Sequence, residues 1–200
     1  FLTPQLPYPP RQGTTLRNYN LIRYLADAHE IHLATVLAPG DRLTAESPLH
    51  HLCRRIEFLP QPERPLRRRA VDTLTSPLPD MGLRLSHPAA LQTILQMMKE
   101  EAYTIVQAEG IEMAGYLLQV ATGRSRGGDP FFVFDNHNAE YLLQRRAALV
   151  DLIRPRRWPA ALYSLIQWQK LCRYERALCL AADAVIAVSE PDRQALRRLH

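Results

Sequence analysis

Phe131-Phe132-Val133-Phe134-Asp135-Asn136-His137-Asn138-Ala139-Glu140-Tyr141 is the stretch from which the fold can be read. Four consecutive apolar residues leave a strand no polar face. Residues 131–134 therefore suit the middle of a parallel sheet covered by helices on both sides. A doubly wound sheet holds its ligands at the carboxyl ends of its strands, so the loop that follows carries functional information. Five of the seven side chains from Asp135 to Tyr141 hydrogen-bond through carboxylate, amide or imidazole groups, where an ordinary loop needs one helix cap. With Asn138 as an N-cap and Asp135 as a turn former, His137 and Glu140 still lack a purpose, which favours a ligand site.

Working outward, short apolar runs alternate with helical periodicity. Upstream lie a helix at 88–101, a strand at 103–108, a helix at 112–121 and a polar connection at 123–128. Downstream come a helix at 139–149, a long helix opened by Pro159 and running to about 182, and a strand at 184–188. Nearer the start, 1–3 reads as a strand and Thr14 or Thr15 as the cap of a helix with Leu16, Tyr19, Leu21, Ile22, Leu25 and Ala26 on its apolar face. Residues 30–37 and 55–59 read as strands, with a helix at 43–53 between them. Between 60 and 88 the prolines argue against any long regular element. Strands alternating with helices imply right-handed crossovers and an α/β, Rossmann-like doubly wound parallel sheet with helices on both faces.

Composition agrees. The 200 residues are 46% apolar and 22% charged, enough to bury a core and inconsistent with disorder or a collagen-like repeat. One globular domain over 1–200 is expected, and Phe1-Leu2-Thr3 and Arg197-Arg198-Leu199-His200 read as cut ends of a longer chain. Cys53, Cys172 and Cys179 are an odd number without a Cys-x-x-Cys. The last two are seven apart on a helix, roughly 10 Å along its axis, too far for a disulfide. This cysteine usage fits a reduced, cytoplasmic protein without a metal framework. The most apolar stretch, 177–188, is broken by Asp183 and does not span a bilayer.

Two other strand-end loops carry candidates. The Pro/Gly loop after the first strand ends at Gly13, with Arg17 one turn into the helix. A glycine there lets the backbone approach an anionic or hydroxyl-rich ligand, although a turn followed by a solvated arginine has the same sequence. After the last strand, Ser189 has the chemistry of an N-cap and Asp192 that of a capping-box acid, which leaves Arg193 for a ligand.

Pro7 to Gly13 with Arg17-Asn18-Tyr19-Asn20-Leu21, His29-Glu30-Ile31-His32-Leu33, Phe134 to Tyr141, Trp168-Gln169-Lys170 with Arg173-Tyr174-Glu175, and Ala182 to Glu190 together resemble the retaining glycosyltransferases of GT-B fold, family 4. The likeness is to their N-terminal domain, in the branch found in bacterial polysaccharide clusters. It implies two Rossmann-like domains facing a cleft, with the acceptor on this one and the nucleotide sugar mainly on a C-terminal domain absent from these residues, so the fragment alone is expected to be inactive. By the same resemblance His137 and Asp135 are the candidate catalytic residues, orienting hydroxyls near the transferred sugar. Gly13, Arg17, Asn138, Glu140, Ser189 and Arg193 are the candidate substrate-binding residues. No metal or other cofactor is expected, since family members manage phosphate charge with basic residues and helix ends, and the chain has no Asp-x-Asp cluster or multi-histidine set. The implied partners are a nucleotide sugar and a saccharide or lipid-linked acceptor. The competing reading is a non-catalytic Rossmann-like module that holds a small polar ligand in the 135–140 loop.

Arg64 to Arg69 and Arg154 to Arg157 form basic clusters beside Leu66 and Trp158. They read as a solvated surface or as a peripheral contact with anionic lipid at the inner face of a membrane. A nucleic-acid platform would need aromatic residues interleaved with the charges. On the long helix, Leu165, Trp168, Cys172, Glu175 and Cys179 share a face, so Glu175 either sits at a rim, pairs within its helix, or accepts hydrogen bonds from a strand-end loop.

Overall fold

The computed structural model describes residues 1–123 and 129–199, so residues 124–128 of the connection expected at 123–128, and the last residue, lie outside the described ones. The elements run β1 Leu2–Thr3, α1 Gly13–Leu25, β2 His32–Val36, α2 Leu49–Leu52, β3 Arg55–Leu59, α3 Leu66–Thr75, α4 Asp80–Arg84, α5 Pro88–Glu100, β4 Ile105–Glu109, α6 Gly110–Ala121, β5 Phe131–Asn136, α7 Glu140–Leu152, α8 Trp158–Ala181, β6 Ala184–Ala187 and α9 Glu190–Arg197. A single turn of 3₁₀ helix, Pro155–Arg157, joins α7 to α8.

All the described strands pair in parallel, in the order β3-β2-β1-β4-β5-β6. This is the doubly wound Rossmann-like sheet expected from the alternation. The chain leaves β1 for β2 on one side and returns to β4 on the other, so the crevice between β1 and β4 is the topological switch point where such sheets bind ligands. β5 is interior, though second from the edge rather than central. Phe132 and Phe134 are fully buried on it, while Phe131 at its amino end is half exposed. One hydrophobic cluster, around Ile94, Met113, Phe132, Phe134, Leu171 and Leu178, fills one side of the sheet. A smaller one, around Ile22, Leu33 and Leu49, fills the other.

The boundaries differ from the sequence reading in three informative places. Helix α1 starts at Gly13 with Gln12 as its N-cap, and the Thr15 hydroxyl accepts the Gln12 N–H at 3.0 Å rather than serving as the cap residue. Between 43 and 53 only Leu49–Leu52 is helical, because Pro48 disfavours helical backbone before it. The segment 60–88 contains α3 and α4, since its prolines flank those helices instead of interrupting them: Pro65 and Pro79 are their N-caps. Ion pairs fasten this segment. Asp80 is buried and holds Arg64 at 3.1 Å and Arg69 at 2.9 Å, and Lys170 of α8 donates to the Thr73 carbonyl at the end of α3 at 2.7 Å. Half of the first arginine cluster is therefore structural. Burial works against the Asp80 charge, yet the two guanidiniums outweigh it and hold its pKa below the usual range.

Helix α8 buries Ala161, Ser164, Gln167, Leu171, Tyr174, Glu175, Leu178 and Cys179, a stripe rotated slightly from the one expected, so that Leu165, Trp168 and Cys172 are partly exposed. The rotation lets α8 pack on α6 as well as α7: the Tyr174 ring lies against the bare backbones of Gly82 and Gly115, where a Cβ would collide with it. The three cysteines are free thiols. Among the described residues no helix is long and apolar enough to cross a membrane.

Candidate functional site at the switch point

The register of the two parallel strands sets Glu109 of β4 directly beside Asp135 of β5, and both side chains are fully buried. Two carboxylates at adjacent strand positions repel each other, so the arrangement needs donors from outside the sheet. Asp135 receives one from α1, one turn past Gly13: Arg17 Nη2 donates to Asp135 Oδ2 at 2.6 Å across the switch point. Glu109 receives several. Gln107 Nε2 donates to its Oε1 at 2.6 Å, and His137 Nε2 lies 3.4 Å from its Oε2. The Asn18 amide, turned with its nitrogen toward them, reaches Glu109 Oε2 at 2.9 Å and the Thr14 carbonyl at 3.2 Å.

Burial pushes the Asp135 carboxyl up and the charge of Glu109 adds to it, while Arg17 works in the opposite direction without cancelling the shift. Arg17 Nε and Asp135 Oδ1 are buried and find no hydrogen-bond partner among the described residues. The pair thus leaves one donor and one acceptor unspent. The network opens to solvent through Arg17, with 37% of its side chain exposed, and through His137, with 21% exposed. Gly110 lies beside His137 at the turn out of β4. Its φ of +79° turns the chain from β4 straight into α6, and a Cβ there would stand 3.5 Å from His137 Nδ1.

The 137–140 loop is braced from beneath. Glu175, fully buried on α8, accepts the Tyr141 N–H at 2.7 Å, the Glu140 N–H at 3.0 Å and the Asn136 amide at 3.2 Å. Asp192 of α9 takes the Ala139 N–H at 3.0 Å. The first N–H groups of α7, which a helix cannot satisfy itself, are thus capped by two carboxylates from other elements, in the favourable sense for the helix dipole. Of the three readings open for Glu175, the one in which it accepts hydrogen bonds from a strand-end loop is observed. Burial raises its pKa against those hydrogen bonds, to about 7.

The sequence candidates therefore separate into groups. Asp135, His137 and Arg17 come together, although Asp135 and Asn136 are the last residues of β5 rather than loop residues. Gly13 opens α1 with nothing within 4 Å of where a Cβ would lie, leaving its backbone accessible. Asn138 is exposed and donates to Glu140 Oε1 at 3.2 Å; it is not the N-cap, which is Ala139. The Glu140 carboxyl is pushed up by burial. Ser189 caps α9, accepting the Asp192 N–H at 3.2 Å, and Arg193 pairs on the surface with Glu190 at 3.3 Å. Neither Ser189 nor Arg193 touches the switch-point network.

Glu109 escaped the sequence reading, which ended the strand at 108. An acid followed by glycine at a strand-to-helix junction, Glu109-Gly110, was the available signal. Glu109, Asp135 and His137 each bring a ligand-capable atom within 4.8 Å of the others. Arg17 holds one oxygen of Asp135 and amides hold Glu109, while Asp135 Oδ1 keeps a free acceptor among the described residues.

No curated protein and no solved structure shows significant similarity to the chain. The family model described as Glycosyltransferase Family 4 matches residues 12–200, which takes in every element from α1 onward, the Arg17–Asp135 pair and His137. With its parallel sheet and a polar network at the switch point, the chain belongs to glycosyltransferase family 4, as an N-terminal domain of the GT-B fold.

Proposed function

We propose that this domain is the acceptor-side half of an enzyme that moves a sugar from a nucleotide-sugar donor to a saccharide or lipid-linked acceptor, with retention and without a metal. The observation that carries the reading is the Arg17–Asp135 and Glu109–His137 network at the β1/β4 crevice. Glycosyl transfer passes through an oxocarbenium-like centre while a nucleoside diphosphate leaves. A partly exposed imidazole backed by a buried carboxylate suits the first of these demands. Glu109 lies 3.4 Å from the ring and fixes it, and the buried Glu109 carboxylate sets a negative field behind a centre where positive charge develops.

Arg17 serves this network twice. Its Nη2 neutralises Asp135, and its position at the first turn of α1, beside the open backbone of Gly13, aims positive charge and N–H groups at the crevice, where hydroxyl or phosphate oxygens are favoured. The bulk of the diphosphate charge is met by a second domain, so residues 1–200 alone are inactive. Arg193 and Ser189 make no contact with the network and enter the site only if that second domain brings a ligand to α9.

The test is release of nucleoside diphosphate from a panel of nucleotide sugars by the full-length protein, with and without acceptor saccharides. Acceptor-dependent release, with the anomeric configuration of the donor kept in the product, supports the proposal. Binding of a sugar or other small polar ligand without release across the panel supports the non-catalytic module instead.

A further inference from the structure

A second cavity opens beside the first turn of α1, on the side away from the switch-point network. The chain leaves β1 as the loop 4–12 and β2 as the loop 37–48, and between these two strand-end loops lies a hollow of about 440 Å³. Gln12 and Thr15 stand on one side of it, and Asp41, Arg42, Thr44 and Ser47 on the other. Two hollows therefore flank one helix end: Arg17 reaches toward β5, and the cavity faces the loop after β2. A helix with its side chains is about 10–12 Å across, which sets the two ligand positions about 10 Å apart. The open backbone of Gly13 lies at the helix end that separates them.

The base of this cavity is fixed and its rim is unspent. Thr15 and Ser47 are buried, and both hold backbone in place: the Thr15 hydroxyl donates to the Gln12 carbonyl at 3.0 Å, and Ser47 Oγ accepts the Leu49 N–H at 3.4 Å. Buried Leu6 and the Tyr8 ring, whose centroid lies 5.3 Å from that of Tyr19, supply an apolar patch. Gly40 stands at the rim with φ of +93° and nothing within 4 Å of where a Cβ would lie, so its backbone is open to a ligand. Arg11 and Arg42 are exposed there, and neither is ion-paired to a described residue.

These groups select a class of ligand. An aromatic face ringed by amides and hydroxyls suits a ring that is apolar on its faces and hydroxylated at its edge, which describes a pyranose. The two guanidiniums outnumber the one carboxylate in the lining, Asp41, so the cavity is positive. Guanidinium groups match carboxylate and phosphate oxygens with paired N–H donors. An apolar ligand would strip water from all three charges and give them no partner in return.

We propose that this cavity is a distal acceptor subsite for a sugar unit carrying an anionic group, a carboxylate or a phosphate. Arg11 and Arg42 bind the anion, Gln5, Asp41 and Thr44 take hydroxyl groups, and Tyr8 meets the ring face. The assignment to the acceptor rests on the transfer reaction proposed above. With the reacting hydroxyl at His137 and the anionic unit about 10 Å away, past Gly13, the acceptor is longer than one sugar, and its acidic unit is set back from the end that grows. Binding in the cavity itself does not require transfer.

The experiment is calorimetric titration of the full-length protein, without nucleotide sugar, with methyl glucoside, methyl glucuronide and glucose 6-phosphate. At least one anionic sugar should bind about tenfold more tightly than the neutral one. A lead for the glucuronide assigns a uronic acid, and a lead for the phosphate assigns a phosphorylated sugar. Arg11→Gln with Arg42→Gln should abolish the preference at unchanged melting temperature, because both side chains are already in solvent. Arg67→Gln with Arg156→Gln removes the same charge from exposed positions elsewhere and should leave the preference intact. Thr44→Trp, which fills the cavity from its exposed rim, should weaken binding of every sugar that the wild type holds there. Absence of binding, equal affinity for neutral and anionic sugars, or equal effects of the two arginine pairs overturns the proposal. Slow hydrolysis of the nucleotide sugar with water as acceptor does not use this cavity, so measuring it on the same variants separates failure of this inference from failure of the proposed reaction.

Discussion

The carboxylate of Glu175 accepts the backbone N–H of Tyr141 at 2.7 Å across 34 residues of chain, and with the Glu140 N–H it fixes where α7 begins. Because α7 starts immediately after His137 and Asn138, this contact couples the packing of α8 to the orientation of the strand-end loop. Removing the carboxylate leaves buried N–H groups unpaired. Glu175→Ala should therefore destabilise the domain by about 1–3 kcal/mol, a drop of several degrees in melting temperature for a chain of this size. Glu175→Gln keeps one carbonyl acceptor and should be milder. Equal melting temperatures for Glu175→Ala and wild type would show that the donors find other partners.

The same residue makes stability depend on pH. Its folded pKa, pushed up by burial to about 7, lies above the ordinary glutamate value of 4.5, so between those values the folded state holds the proton more tightly than the unfolded chain. The stabilisation from this group is complete below about pH 4.5 and is lost as pH rises through 7. Subtracting the denaturation free energies of Glu175→Gln from those of wild type across pH 4 to 8 isolates this contribution from Asp80, whose depressed pKa acts in the opposite sense at lower pH. The difference should favour wild type most at the acid end; a flat difference would mean Glu175 titrates alike in both states.

Arg17 and Asp135 should behave as a coupled pair. Arg17→Met leaves Asp135 beside Glu109 with no cation and should cost about 1–3 kcal/mol, below the figure for a wholly buried pair because Arg17 is about a third exposed. Asp135→Asn added to that background should recover part of the loss, since it removes the like-charge contact. Strict additivity in the double-mutant cycle would show that the 2.6 Å contact carries no coupling energy.

Much of the fold was legible because burial dictates it. Phe131 to Phe134 carries no polar face, and the alternation of strands and helices leaves little choice but a doubly wound sheet. The helix at Leu66–Thr75 was not legible, because it buries none of its own residues and is held by Asp80, Arg64, Arg69 and Lys170, contacts that periodicity does not encode. At the site, Asp135 and His137 stood out as polar groups at the end of an apolar strand. Glu109 did not, because its role depends on cross-strand register with Asp135, which only the paired sheet reveals. Glu175 was legible as a carboxylate on an apolar helix stripe, a costly placement that demands partners.

Chelation tests the metal-free part of the proposal. Since Arg17 already neutralises Asp135, and amides serve Glu109, transfer by the full-length protein should be unchanged by excess EDTA. Loss of activity that magnesium or manganese restores would make Glu109, Asp135 and His137 a metal centre.

The most direct measurement is turnover of the full-length enzyme carrying His137→Ala, taken together with its melting temperature. His137 is partly exposed and its only described polar partner is Glu109 at 3.4 Å, so the substitution should leave the domain folded. Loss of its positioning and hydrogen bonding should lower kcat by about 10²–10³. Turnover near that of wild type in a folded His137→Ala protein would contradict the assignment of the switch-point network as the reacting site.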